Sequence, residues 1–267
     1  MINLSGEVLP IPQGPLPGKV IGFEYIEISY IDQSVIEFLQ RFRRLFDSSG
    51  TNVFIGTSDD QSRSWDIICQ MIWPLVSDTI CRLCLNYSLF NRLRQFSPAI
   101  LRNCANLRSI ESFGRFPEFP VEDNAEASNQ ALAKWLLIPR GDSLPKMLYC
   151  DFYMGGMGGL ERPFVNASAP VNYIMRLRSP GIEPFELKNN LTGERLTLRQ
   201  IEKYNWLLVR CPIGREEDKW AKWEKEAIEL DWFFQCNRIA IIFQDSGIGD
   251  GMVKANEGPS EPKKSKK

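Results

Sequence analysis

The sequence predicts an α/β protein, built as an irregular leucine-rich-repeat-like solenoid in which strands and helices alternate. Short β-type runs alternate with apolar stripes at helical spacing over most of the chain. These runs recur roughly 27 to 37 residues apart, near the period of such repeats. In the last third of the chain, hairpin and helix signals replace the repeat. The alternative fold is a compact α/β domain, which produces a similar alternation by itself.

The chain divides into four predicted parts. Residues 1–20 are rich in Pro and Gly and form an extended leader. Residues 21–180 form the repeat-like α/β region. Residues 181–244 form a C-terminal α+β cap that closes the exposed core of a solenoid, and residues 245–267 form a disordered basic tail.

The repeat region is predicted from its apolar runs and from one helix-start signal. A capping box, Ser34-x-x-Glu37, starts the first helix. Two of the aligned strand positions, Ser112 and Arg176, are poor core residues. The predicted strands cover residues 23–28, 53–55, 80–85, 104–110, 147–152 and 171–177, and their equivalent positions are Ile28, Ile55, Leu85, Ser112, Tyr149 and Arg176.

The predicted cap has its own strands and helix, and four tryptophans are predicted to lie in the core. The cap contains an antiparallel hairpin over 184–198, a strand over 206–211, a helix over 216–230 and a strand over 238–243. Four tryptophans at helical spacing are predicted to pack in the core, namely Trp65, Trp73, Trp220 and Trp223. The alternative for some of them, or for the Trp-Phe-Phe segment at 232–234, is an exposed anchor for a partner protein.

The chain contains no histidine, so imidazole acid–base chemistry and histidine-ligated metals are excluded. Its seven cysteines lie scattered in apolar segments, as expected of reduced, buried thiols. Cys81 and Cys84 lie in a predicted strand and point to opposite faces, so they cannot chelate one ion. Glu161 follows the glycine-rich segment 155–159 and would repel a phosphate. We therefore predict no catalytic, metal-binding or cofactor-binding residues and no enzyme activity; the alternative is a small α/β enzyme using Cys, Lys or carboxylate chemistry.

Charge and hydropathy limit the expected partners and location. The net charge is −1, which disfavours general nucleic-acid binding. No apolar run has the roughly 18 residues needed to span a bilayer, so no membrane partner is expected. No secretory signal is visible, and we expect a cytoplasmic or nuclear location. The candidate nuclear-import signal consists of Lys263, Lys264, Lys266 and Lys267.

Several segments resemble one protein family. They cover residues 97–110, 133–136, 184–198, 207–213 and 218–228. Together they resemble the region that follows the F-box in the expanded F-box proteins of plant-parasitic nematodes, over nearly the whole chain from residue 9 to 252. The resemblance implies a protein-binding scaffold that recruits a protein substrate, of unknown identity, to a cullin ubiquitin ligase.

The chain departs from that family at its start. An F-box is a helical hairpin that docks on a Skp-type adaptor, whereas the proline-rich segment 9–18 cannot be helical. The F-box itself is therefore expected to be missing. The chain is then a fragment, a shortened product, or a decoy that binds the substrate without delivering it to the ligase.

Overall fold

A ten-stranded, mostly parallel sheet organises the chain, which confirms the predicted α/β class. The computed structural model describes residues 11, 14, 20, 22–46, 50–86, 89, 92, 100–101, 103–113, 131–151, 158–229 and 237–252. Apolar runs form most of these strands because central strands of a parallel sheet are buried on both faces. The strands are β1 (Tyr25–Ile28), β2 (Thr51–Ile55), β3 (Ile80–Asn86), β4 (Ser109–Phe113), β5 (Lys146–Asp151), β6 (Tyr173–Arg178), β7 (Phe185–Asn189), β8 (Glu194–Glu202), β9 (Asn205–Pro212) and β10 (Arg238–Ile241).

The helices connect the parallel strands or follow β9. They are α1 (Gln33–Phe46), α2 (Ser62–Ile67), a π-helix (Ile68–Ile72), α3 (Trp73–Val76), α4 (Ala131–Leu137), α5 (Gly158–Val165), α6 (Glu217–Glu229) and a 3₁₀-helix (Asp245–Gly247). Pro74 lies in the first turn of α3, directly after the π-helix. The start of α1 differs from the prediction, because Asp32 rather than Ser34 accepts the hydrogen bonds at its first turn.

The order of strands in the sheet is β1-β10-β2-β3-β4-β5-β6-β9-β8-β7. From β2 to β6, strands that follow one another in sequence are parallel neighbours in the sheet. β7, β8 and β9 pair antiparallel. β10 lies between β1 and β2 and is parallel to both. The predicted cap over residues 181–244 is therefore not a separate terminal unit, since its last strand completes the sheet at the opposite side.

The predicted disordered tail begins later than expected. Asp245–Gly247 forms a 3₁₀-helix, and Ile248 forms a parallel bridge with Ile31. Residues 245–252 thus belong to the folded part of the chain. The four lysines of the candidate nuclear-import signal lie outside the described residues, as does most of the predicted leader.

Strand register corrects two of the aligned positions. Ile28, Ile55, Leu85 and Ser112 do share one row across the sheet, with Ile241 inserted between Ile28 and Ile55. The next members of that row are Cys150 and Leu177, not Tyr149 and Arg176. A slip of one residue turns a side chain to the other face of the sheet. Tyr149 and Arg176 therefore lie on the face opposite to the one that the alignment predicted. The predicted strand at 104–110 is also wrong for its first five residues, because tight turns precede Ser109.

The two faces of the sheet are covered differently. One face packs against α1 to α5 and forms the main core, which contains Trp65 and Trp73 as predicted. On the other face, α6 places the buried Trp220 and the half-buried Trp223 against β5, β6 and β9 in a smaller core. We call this second face the open face, because exposed or half-buried polar and aromatic side chains such as Tyr25, Tyr149 and Arg176 occupy it beyond α6. In the part of the chain that the structure describes, no helix combines the length and apolar character required to cross a bilayer.

Candidate functional site: a basic and aromatic cleft

A cleft of about 340 Å³ opens where β5 and β6 end, next to the turn between β8 and β9. In open α/β sheets, ligands bind preferentially beyond the carboxyl ends of parallel strands. We call it the basic cleft. Its lining consists of Tyr149, Arg176, Arg178, Glu202, Lys203, Tyr204 and Asn205.

Strand alternation places these side chains on the open face. Met175 and Leu177 of β6 point into the main core, so Arg176 and Arg178 point the other way. Tyr149 is the partner of Arg176 in the register of β5 and β6. The ring of Tyr149 lies 5.0 Å from the guanidinium carbon of Arg176, within the range of a cation–π contact. The sheet itself therefore assembles an arginine–tyrosine pair at the cleft.

Arg176 is held in place from two sides. Its Nη1 donates a 2.9 Å hydrogen bond to the carbonyl of Ile228, near the end of α6, and its guanidinium stacks on Tyr149. α6 in turn is fixed by ion pairs to Arg108, which directly precedes β4, and to Arg199 of β8. The Arg108–Glu226 and Arg199–Glu224 pairs both measure 2.9 Å. Binding at the cleft would therefore lose little side-chain freedom at Arg176.

The cleft carries an excess of positive charge. Arg176, Arg178 and Lys203 line it, and Glu202 is the one acid among its lining residues. Asn205 Nδ2 already donates a 2.8 Å hydrogen bond to Glu202. Within the described residues, none of the three cations forms an ion pair within 4.0 Å, whereas Arg199 on β8 is paired to Glu224.

Two tyrosines give the cleft its aromatic character. Tyr204 exposes 47% of its surface, and Lys203 Nζ lies 5.1 Å from its ring centre. Burial is the main cause that raises the pKa of Tyr149 above its usual value, so its phenol stays neutral at physiological pH. Exposed arginine and tyrosine side chains in a concave site are typical of surfaces that bind other proteins.

A second cleft of about 370 Å³ lies at the opposite end of the sheet, beside Lys146. Lys146 is buried, and its ammonium donates to the carbonyls of Trp135 and, at 2.7 Å, of Ile138. These bonds close the carboxyl end of α4, where a cation is favoured. Burial and the nearby charge of Arg140 lower the pKa of Lys146 to about 8. We call this site the lysine cleft.

Five of the six described cysteines show no sign of an activated nucleophile, whereas Arg215 Nη1 donates to the Sγ of the sixth, Cys211, at 3.6 Å. Burial raises the pKa of Cys69 and Cys104 to about 12, and it raises the pKa of Cys81, Cys84 and Cys150 as well. A thiol with a raised pKa holds very little thiolate at neutral pH. Within the described ranges, no group of three or more His, Cys, Asp or Glu side chains is placed to hold a metal ion.

The sequence patterns missed the basic cleft. They assigned Tyr149 and Arg176 to a core row, and the poor fit of Arg176 there was the signal that could have revealed the slip of register. The proposed anchor at residues 232–234 and most of the glycine-rich segment 155–159 lie outside the described residues. No protein-family model, no curated protein and no solved structure matches the chain.

Proposed function

We propose that the chain is a protein-binding scaffold that recognises its partner at the basic cleft. The observation that carries the proposal is the fixed Arg176–Tyr149 pair beside two further unpaired cations. Alanine scans find binding energy concentrated in Trp, Tyr and Arg side chains that sit in partly enclosed sites. An arginine that is already ordered loses less entropy on binding than a free one.

The resemblance to the region that follows the F-box gives this scaffold a specific role. In that role the bound partner is a protein substrate of a cullin ubiquitin ligase. A Skp-type adaptor would connect the chain to the ligase, and a chain without that connection would act as a decoy. Membranes and nucleic acids are not part of the proposal.

We also propose which of the two predicted α/β folds the chain adopts. The unbroken succession of parallel strands from β2 to β6 favours a segment built like a leucine-rich-repeat solenoid. Solenoids bind their partners on an extended sheet surface, which is where the basic cleft lies. The position of β10 between β1 and β2 favours the compact α/β alternative, so we propose a short repeat-like segment inside a compact domain.

The test is affinity purification of the tagged chain from its native cells, followed by mass spectrometry. Wild type is compared with an Arg178→Glu/Lys203→Glu variant and with Arg162→Glu, a control on α5 at the other face of the sheet. We expect specific partners that the cleft variant loses and the control keeps. An adaptor and a cullin among them would support ligase membership, and partners without ligase components would favour a decoy or an independent binding module. Partners that are indifferent to the cleft variant, or no reproducible partner, would contradict the proposal.

The lysine cleft favours a second candidate, an enzyme that uses the amine of Lys146. An amine with a pKa near 8 is partly unprotonated in cells and can add to an aldehyde, forming an imine and releasing water. Borohydride reduction in the presence of a small aldehyde, followed by peptide mass spectrometry, tests this. Preferential labelling of Lys146 over the exposed Lys222 would favour the enzyme. Labelling of Lys222 alone is expected if Lys146 only closes the end of α4.

We further propose a cytoplasmic or nuclear location that depends on the lysine-rich C-terminal segment. A fluorescent fusion of the chain is compared with one in which Lys263, Lys264, Lys266 and Lys267 are alanine. Nuclear signal in the first fusion and its loss in the second would support the import signal. An identical distribution of the two fusions would contradict it.

A further inference from the structure

We propose that the basic cleft binds an extended acidic peptide segment in which two Asp or Glu side chains stand at alternate positions. This inference rests on the proposed function and names the chemistry of the partner. It follows from the spacing, the charge and the aromatic walls of the cleft.

The spacing of the two arginines matches an extended peptide. Arg176 and Arg178 lie two residues apart on β6 and point to the same face. A strand rises about 3.3 Å per residue, so their backbone positions are about 6.6 Å apart. An extended peptide lying along β6 repeats its side chains on one side at the same distance. Each arginine can therefore meet its own carboxylate.

The charges of the cleft favour carboxylates. Arg178 is exposed and has no hydrogen-bond or ion-pair partner among the described residues, so its planar guanidinium can bind a carboxylate through two hydrogen bonds. Arg176 uses Nη1 on Ile228 and keeps its stacked orientation. Lys203 adds a third positive charge at the far wall. Three cations against the single carboxylate of Glu202, which accepts a hydrogen bond from Asn205, give the described lining a net positive charge.

The tyrosines of the cleft indicate which peptide side chains would stand next to the two acids. Tyr149 lies under Arg176, and Tyr204 lies beside Lys203 in the turn between β8 and β9. An apolar or aromatic side chain next to the acidic pair could cover the exposed ring of Tyr204. The volume of about 340 Å³ is at the small end of ligand sites, which suits a few side chains rather than a folded domain.

The probes are fluorescein-labelled nonapeptides with two glutamates in a Ser/Thr/Val background. Their binding to the chain is measured by fluorescence polarisation. In one peptide the glutamates alternate, in a second they are adjacent, and in a third glutamines replace them. We expect the alternating peptide to bind most tightly and to weaken as salt is raised. Arg178→Glu should weaken it about tenfold or more, while Arg162→Glu should leave binding unchanged. Circular dichroism of both variants verifies that they fold.

Equal binding of the alternating and adjacent peptides would overturn the inference. So would undiminished binding to Arg178→Glu, or no binding at about 1 mM peptide. The affinity purification separates this failure from failure of the proposed function. Native partners that depend on Arg178 and Lys203 would remain if only the acidic motif is wrong, and they would be absent if the cleft binds no protein.

Discussion

Asp32 fixes the first turn of α1 with one carboxylate oxygen. Asp32 Oδ1 accepts hydrogen bonds from Ser34 Oγ at 2.7 Å and from the backbone N–H of Val35 at 3.0 Å. The bond from Ser34 is the main cause that lowers the pKa of Asp32 below 3.8. The residue just before the helix thus satisfies a backbone donor that has no partner inside the helix.

Replacing Asp32 with Ala should lower the free energy of unfolding by about 1 kcal/mol at pH 7. Because the folded-state pKa is lowered from 3.8, this contribution is present above pH 3.8 and is lost as the pH falls through the folded pKa. Urea unfolding of both proteins at pH 7 and near pH 3 should show the difference shrinking in acid. Asp32→Asn keeps the accepting oxygen and should lose less than Ala; a difference that grows in acid would contradict this account.

Arg210 and Glu194 form a buried ion pair between β9 and β8. Their side chains expose 2% and 1% of their surface, and Arg210 Nη2 lies 2.7 Å from Glu194 Oε2. Glu194 Oε1 also accepts from the backbone of Val171, and the guanidinium stacks over Phe164. The pair joins β8 to β9, and Val171 and Phe164 tie it to the segment before β6 and to α5.

Removing one partner of this pair should be costly. Arg210→Ala leaves the carboxylate of Glu194 buried without its cation, which costs about 3–5 kcal/mol. Arg210→Met combined with Glu194→Gln removes both charges and keeps an acceptor for Val171, so it should cost less than the single change. Chemical denaturation of the three proteins provides the comparison. A single variant that is as stable as the double variant would contradict the cost assigned to an unpaired carboxylate at Glu194.

At the residue scale, the sequence predicted the core well and the surface poorly. Trp65 and Trp220 were predicted to be buried because large apolar side chains at helical spacing have few other places to go. Tyr149 and Arg176 carry no such signal. Either face of a strand can hold a tyrosine or the stem of an arginine, so the choice between the two faces depended on register, which only the paired strands determine.

At the scale of elements, α2 depends on a segment that lies far along the chain. Gln61 precedes α2 and makes no capping hydrogen bond with its side chain. Asp245 Oδ1 instead accepts from the N–H and the hydroxyl of Ser64, both at 2.8 Å, and its own N–H donates to Gln61 Oε1 at 2.9 Å. The 3₁₀-helix after β10 thus provides the cap of a helix that begins near residue 62.

Asp245→Ala should lower the free energy of unfolding by about 1–2 kcal/mol, because it removes two accepted bonds at a helix start. Asp250→Ala, at an exposed position in the same segment, is the matched control and should be close to neutral. Thermal unfolding of both variants beside wild type measures the effect. Equal stability of the two variants would mean that the Asp245 contacts do not stabilise the native state.

Most elements could be predicted because their signals are local. The strands β2, β3, β5, β6 and β9 are apolar runs, and the predicted bounds agree with the structure within about two residues. The run at 104–110 misled because Cys104 and Leu107 are buried while their backbone forms turns. Apolar residues mark burial, and burial alone does not distinguish a strand from a packed turn.

At the scale of the whole molecule, the sheet is complete only when β10 enters between β1 and β2. Arg238–Ile241 pairs with Tyr25–Ile28 on one side and with Asn52–Ile55 on the other. Ile239 and Ile241 lie in the main core with Val53 and Ile55. No local pattern predicts this insertion, because the strand looks like any other apolar run and its partners lie about 200 residues away in sequence.

A chain that ends at residue 236 should lose cooperative unfolding. It leaves β1 without its only described sheet neighbour and exposes one edge of β2, with the apolar residues that β10 covers. Calorimetry of this chain should show no sharp transition, whereas a chain ending at residue 252 keeps every described contact and should unfold like wild type. A sharp transition with an unchanged midpoint in the shorter chain would show that β10 is dispensable.

The position of β10 also has a consequence for synthesis. A ribosome makes β1 and β2 first and β10 after every other described strand, so the strand edges that β10 covers stay unpaired until then. Nascent chains with such edges rely on chaperones to avoid pairing with one another. A product terminated before β10 can never complete the sheet, so the folded state requires translation through residue 241.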